Sequence, residues 1–144
     1  MTDRAAELTD VTLYSAFAVG RGDAPYCKPE FKDTFLVNSL FVANNIRRWL
    51  AQGYGQTIPA FLGEIPGLFR SGLLPVDVAI LNVSRPNADG YCSYGVSADL
   101  AVPAVECAKT VIAQVNAAMP FSYGDALIHI SKIDACVEVN DPLV

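Results

Sequence analysis

The apolar residues of this chain come in short, strand-sized blocks divided by Gly, Pro and Asp. The densest, Val76 to Val83, has only Asp77 and Asn82 as polar members, so it lacks the alternation of a strand with one wet face. Such a run predicts a strand covered on both faces in the middle of an α/β sheet. Pro75 stands just before it, where a missing backbone donor costs least. Asn87-Ala88-Asp89-Gly90 carries turn chemistry, and the run Tyr91 to Gly95 is expected to fold back as a short neighbouring strand. The stretch Ser71 to Gly95 is therefore expected to organise the rest.

Around it the pattern predicts further elements. Arg4 to Leu8 reads as the tail of a helix, Val11 to Val19 as an apolar strand, and Phe35 to Val42 as an extended, alternating segment. Asn44 and Asn45 suit the N-cap of a helix carrying Ile46, Trp49 and Leu50 on one face and stopped by Gly53. Thr57 to Phe61 predicts a short strand. Glu64 and Pro66 open a helix with Leu68 and Phe69 inward and Gly72 as its stop. Ser97 can cap a helix whose Leu100, Ala101, Ala104, Val105 and Ala108 form one stripe, with Pro103 marking its true first turn. Strands are expected at Thr110 to Val115, Ala126 to Ile130 and Cys136 to Val139. Strands separated by helix-length segments imply parallel crossovers, so the class is α/β with an open, mixed, mostly parallel sheet and flanking helices.

Composition narrows the function classes. A length of 144 residues suits one ordinary domain around one core. An apolar content of 52% with 17% charge is rich for that size, which implies that some apolar surface meets another protein surface. Net charge is −5, and the ten basic residues are scattered apart from Arg47-Arg48, so nucleic acid and anionic membrane are not expected partners. No apolar run approaches the roughly twenty residues of a spanning helix, and MTDRAAELTD lacks the apolar core of a secretory signal. Cys27, Cys92, Cys107 and Cys136 form no CxxC pair, which fits reduced thiols in a cytoplasm better than disulfides or a zinc site, and no metal is expected.

Chemistry-bearing residues are few. His129, the single histidine, lies inside an apolar run and reads as a satisfied strand residue rather than a base. Gly20-Arg21-Gly22-Asp23 follows a strand as a phosphate loop would, without the further glycine and helix start of a dinucleotide fingerprint. Its Arg-Gly-Asp tripeptide stands in no extracellular context. Glu30, Glu64, Glu106 and Glu138 are the possible nucleophiles or acids; Glu64 suits the amides of a helix start, and Glu106 a solvent-facing helix side. Asn116 to Asp125 follows a buried strand at its C-terminal end, where open α/β sheets bind ligands, so Ser122, Tyr123 and Asp125 are candidates for substrate contact.

A set of short segments carries a likeness: Ala24-Pro25-Tyr26, Asn38-Ser39-Leu40-Phe41, Ile58-Pro59-Ala60-Phe61-Leu62, Glu64-Ile65-Pro66, Leu74 to Ala79, Asp89 to Ser93, Val111 to Asn116, Met119-Pro120 and Gly124-Asp125. In this order and register, from about Leu8 to Leu143, the chain resembles the acetyl-CoA hydrolase/transferase family, which includes 4-hydroxybutyrate, butyrate, acetate and succinate CoA-transferases. The resemblance implies an open α/β CoA-transferase domain and adds Asn38 and Ser39 as candidates for substrate contact. It also implies that this is part of an N-terminal domain. Family members have an extra helix and strand before the position of Met1. After that of Val144 they have a second, catalytic domain with a GxGxxP loop and an acylated glutamate. None of the four glutamates above matches that residue, so no catalytic residue is expected here. Where relatives read MPRT, this chain has Met119-Pro120-Phe121-Ser122, without the basic residue positioned for a carboxylate.

The expectation is thus a domain that forms one wall of an acyl and acceptor pocket and is inactive alone. Coenzyme A is its substrate, no bound cofactor is expected, and its partners are an acyl-CoA, a small carboxylic acid and the missing domain or an equivalent subunit. Self-association is expected through an unpaired sheet edge, with the strand ends near Gly20, Ser84 and Met119 facing an open cleft. A non-catalytic interaction module is the alternative, and a hydrolase built on His129 a third reading.

Overall fold

A computed structural model describes residues 2–16 and 24–143, so Gly20 to Asp23 and the end of the strand expected to reach Val19 lie outside the described residues. The chain divides into two compact units, one running to Phe61 and the other from Leu62 to Leu143, each with its own apolar cluster where one core was expected.

In the first unit a 3-10 helix, Thr2–Glu7, takes the place of the expected α-helical segment and is tied by an Arg4–Glu7 ion pair. Strands β1 (Val11–Ser15), β2 (Phe35–Ser39) and β3 (Gln56–Thr57) form a parallel sheet in that order, Val11 opposite Phe35 and Asn38 opposite Gln56. The strand expected over Thr57 to Phe61 is thus shorter and begins earlier. Helix α1 (Asn44–Ala51) makes the β2-to-β3 crossover; Ala43 occupies its cap with no side-chain bond, so neither Asn44 nor Asn45 caps it. Phe35, Val37, Ile46, Ala24 and Cys27 pack as the core, and Arg48 lies over the Trp49 ring at 4.5 Å.

The second unit is built on β4 (Val78–Val83), β6 (Thr110–Asn116) and β8 (Ala135–Val139), parallel in the order β4-β6-β8. Strand β6 is the middle one, not β4. Burial along β4 alternates: Ala79, Leu81 and Val83 enter the core, while Val78 is 48% and Ile80 67% exposed. The two-faced strand expected here is therefore an edge strand with one covered face. Helices α2 (Ile65–Arg70) and α3 (Ala101–Cys107) are joined by an Arg70–Glu106 ion pair at 2.7 Å. Leu100 occupies the cap of α3, not Ser97, and Pro103 falls in its first turn, where a missing amide is tolerated. Its Ala101, Ala104 and Val105 pack against the cluster of Leu81, Val83, Val111 and Ala113.

Strand β5 (Tyr91–Ser93) does not pair with β4. It runs antiparallel to β7 (Leu127–His129), Cys92 opposite Ile128. The α/β class with mostly parallel pairing stands, with the described strands distributed over three separate hydrogen-bonded sheets. Among the described residues no helix is long and apolar enough to cross a membrane.

Candidate functional site

The residues with most chemistry to offer gather where β4 and β6 end. Ser84, just past β4, is buried; its amide donates to the Ser93 carbonyl at 2.8 Å and its Oγ accepts from the Ser93 amide at 2.9 Å. Ser93, also buried, extends the chain of bonds: its Oγ donates to the Ser122 carbonyl and accepts from the amides of Ser122 and Gly95, at 2.9, 2.9 and 3.0 Å. Ser122 Oγ returns a bond to the Gly95 carbonyl at 3.0 Å. At the end of β6, Asn116 Oδ1 accepts from the Ala118 amide at 3.0 Å while its Nδ2 donates to the Asp141 carbonyl at 2.9 Å. The chain is thereby turned out of the sheet into a loop, 117–125, laced to the end of β5 by hydroxyl groups.

This lacing divides the predicted site residues. Ser122 has its amide, carbonyl and hydroxyl all committed to Ser93 and Gly95, so it holds the loop. Tyr123, 80% exposed, and Asp125 point outward. Phe121, half-buried, meets Tyr123 edge-on, ring centroids 5.2 Å apart, so the exposed tyrosine ring rests against a partly covered phenylalanine. Asn38 and Ser39 belong to β2 in the first unit; Asn38 is half-buried, and Ser39 is buried and donates to the Phe41 carbonyl at 2.7 Å. Single-residue reading gave no role to Ser93 and Gly95, and took Ser84 only as the mark of a strand end and Phe121 only as the residue in place of a relative's base. The signal was present in the hydroxyls and glycine that bracket the hairpin, but only the long-range pairing of β5 with β7 gives them a common partner.

Other candidates are occupied elsewhere. His129 Nδ1 accepts from the Ser131 amide at 3.2 Å and lies 2.8 Å from Ser131 Oγ, while its ring packs edge-on against Tyr91 at 5.0 Å. The imidazole caps the 3-10 turn Ile130–Lys132. Glu106 is held by Arg70, Glu30 lies 3.9 Å from Lys28, Glu64 takes the cap position of α2 without a side-chain cap bond, and Glu138 is on the exposed edge strand β8. Among the described residues no group of three or more His, Cys, Asp or Glu side chains is placed to hold a metal ion. All four cysteines are free; burial pushes the Cys27 thiol up to about 11. Under the site, burial and then Glu106 push the Tyr94 phenol up to about 12, so it stays neutral and packs as an apolar residue. A hollow of about 110 Å³ in the first unit, lined in part by Tyr26, Lys32, Leu36 and Gln56, opens at the starting ends of β2 and β3, opposite to where such sheets take ligands.

Comparison with known proteins is consistent from end to end. Residues 3–144 match the acetyl-CoA hydrolase/transferase N-terminal domain. Over 127 residues the chain is 46% identical to a 4-hydroxybutyrate coenzyme A transferase of Clostridium kluyveri, covering 88% of this chain and 29% of that protein. The crystal structure of 4-hydroxybutyrate CoA-transferase from Porphyromonas gingivalis superposes with a TM-score of 0.76 at 35% identity, over 100% of this chain and 32% of that one. RipA from Yersinia pestis superposes with a TM-score of 0.86 at 28% identity, over 99% and 35%. The chain thus spans about a third or less of the length of the relatives it matches.

Proposed function

This chain belongs to the acetyl-CoA hydrolase/transferase family through its N-terminal domain, and from that premise we propose that it forms one wall of the acyl and acceptor pocket of an enzyme that moves coenzyme A between an acyl-CoA and a carboxylic acid. The observation that carries the reading is the match over residues 3–144 joined to coverage of only 29% of a CoA-transferase. The remaining polypeptide, or an equivalent subunit, supplies the second wall, most of the coenzyme A contacts and the glutamate that is acylated. A carboxylate attacking a thioester breaks the C–S bond, releases the coenzyme A thiolate and leaves a mixed anhydride that water destroys, so the reaction needs two surfaces that close over it. The laced ends of β4 and β6 offer one such surface, and none of Glu30, Glu64, Glu106 and Glu138 corresponds to the glutamate that is acylated in the family. Coenzyme A enters as a substrate, and the chemistry asks for no bound cofactor. In the same proposal the protein works in a reducing cytoplasm, which its free thiols suit, and self-associates through exposed apolar surface.

A second reading, a non-catalytic module docking on a catalytic partner, draws on the exposed Val78, Ile80 and Val137 of the β4-β6-β8 sheet. One pair of assays separates them. The chain alone, given acetyl-CoA and butyrate, is expected to form no butyryl-CoA and no glutamyl hydroxamate on trapping with hydroxylamine. The Clostridium kluyveri transferase with its matching segment replaced by this chain is expected to turn over. Turnover by the chain alone refutes the proposal, and a folded, inactive chimera favours the module.

A further inference from the structure

Resting on that reading, we infer that the loop after β6 selects the acid the site accepts: a monocarboxylate with an apolar body in preference to a dicarboxylate. The loop 117–125 contains no lysine or arginine, and its one charge is Asp125. Its outward surface carries the exposed ring of Tyr123, set edge-on against the half-buried ring of Phe121. The rings do not hang on a slack segment, because Ser122 between them is bonded at amide, carbonyl and hydroxyl to Ser93 and Gly95. The segment that follows β4, 84–90, adds a single cation, Arg85.

A reacting acid keeps one carboxylate free for the thioester, so the wall meets whatever lies at its other end. An alkyl chain or ring laid on the aromatic pair sheds apolar surface from water. A second carboxylate brought to the same place loses hydration, finds no cation within the loop, and shares it with the carboxylate of Asp125. Selection therefore acts on the tail of the acid and leaves the reacting end untouched.

Hexanoate and adipate test this directly, since they differ only in whether the far carbon is a methyl or a carboxylate. In NMR titrations of the purified chain at matched ionic strength, hexanoate is expected to shift the Phe121 and Tyr123 ring signals with about tenfold higher affinity than adipate. Phe121→Arg, checked for an unchanged amide spectrum elsewhere, is expected to bring the two to parity or invert them. Tyr123→Ala, at an exposed position, is expected to weaken hexanoate alone. Equal or tighter binding of adipate, or hexanoate shifts confined to other residues, overturns the inference. Hexanoyl-coenzyme A tells its failure from that of the wider reading. Shifts at 84–95 and 117–120 without the two rings leave the pocket-wall reading standing and remove the selectivity. No shift with either acid overturns the inference, and an inactive, folded chimera removes the wider reading as well.

Discussion

Replacing Gly95 by alanine tests the hydroxyl-laced site at its tightest point. Gly95 has φ +62, and a Cβ added there would stand 2.2 Å from Met119 Sδ, 2.6 Å from Met119 Cγ and 3.0 Å from the Pro120 carbonyl. The left-handed backbone alone costs an alanine roughly 1–2 kcal/mol. The methionine can swing aside, but at 7% exposure it leaves a buried seat, which forfeits about 2 kcal/mol. The Pro120 carbonyl yields only if the loop moves, which stretches the Ser122 Oγ bond to the Gly95 carbonyl and removes about 1 kcal/mol more. The expected loss is about 4 kcal/mol, a large part of the roughly 5–15 kcal/mol that holds a domain. Gly124→Ala is the matched control: φ is +76 and its Cβ meets open space, so strain alone, roughly 1–2 kcal/mol, is expected. Urea unfolding followed by circular dichroism measures both, and amide spectra report whether 117–125 has moved. A Gly95→Ala protein as stable as the Gly124→Ala protein, with Met119 undisturbed, would refute the argument.

Two further outcomes follow from the same geometry. Ser93→Ala removes the acceptor of two amides and the donor to the Ser122 carbonyl in a buried setting, so a loss of about 3 kcal/mol and faster hydrogen exchange at the Ser122 amide are expected; unchanged exchange counts against the lacing. The folded state holds the Cys27 proton up to about pH 11 and the Tyr94 proton up to about 12, against ordinary values of 9 and 10. Their contribution to stability is therefore intact below pH 9 and is lost as pH rises toward 12; a urea midpoint that stays flat across that range contradicts it.

What the chain's pattern made legible was element type, and what it hid was neighbourhood. Val76 to Val83 reads as fully covered because its outward residues Val78 and Ile80 are as apolar as its inward Ala79 and Leu81; the period of two is present in burial and absent in hydropathy. An edge strand that carries apolar residues on both faces cannot be told from a central one by composition. Conversely β6, also read as a buried strand, holds the central place, since strand order depends on pairing across long separations. Helix caps failed for a similar local reason: Asn44 and Ser97 are good cap residues, yet the chain enters α1 from Ala43 and α3 from Leu100, with no side-chain bond at either cap.

The site shows the same division more sharply. That a loop leaves the C-terminal end of β6 was readable from Asn116 to Asp125, because Pro120, Ser122 and Gly124 break the apolar run of the strand. That Ser122 faces inward was not, since a serine three residues past a buried methionine looks identical whether its hydroxyl meets a substrate or a buried partner. The partner is Ser93, 29 residues away, and only the antiparallel seating of β5 on β7 brings them together. Once that seating is known the roles follow from hydrogen-bond capacity: a hydroxyl can donate once and accept twice, and Ser93 does all three within the protein. It has nothing left for a ligand, so it acts on any substrate only through the position it gives Phe121 and Tyr123.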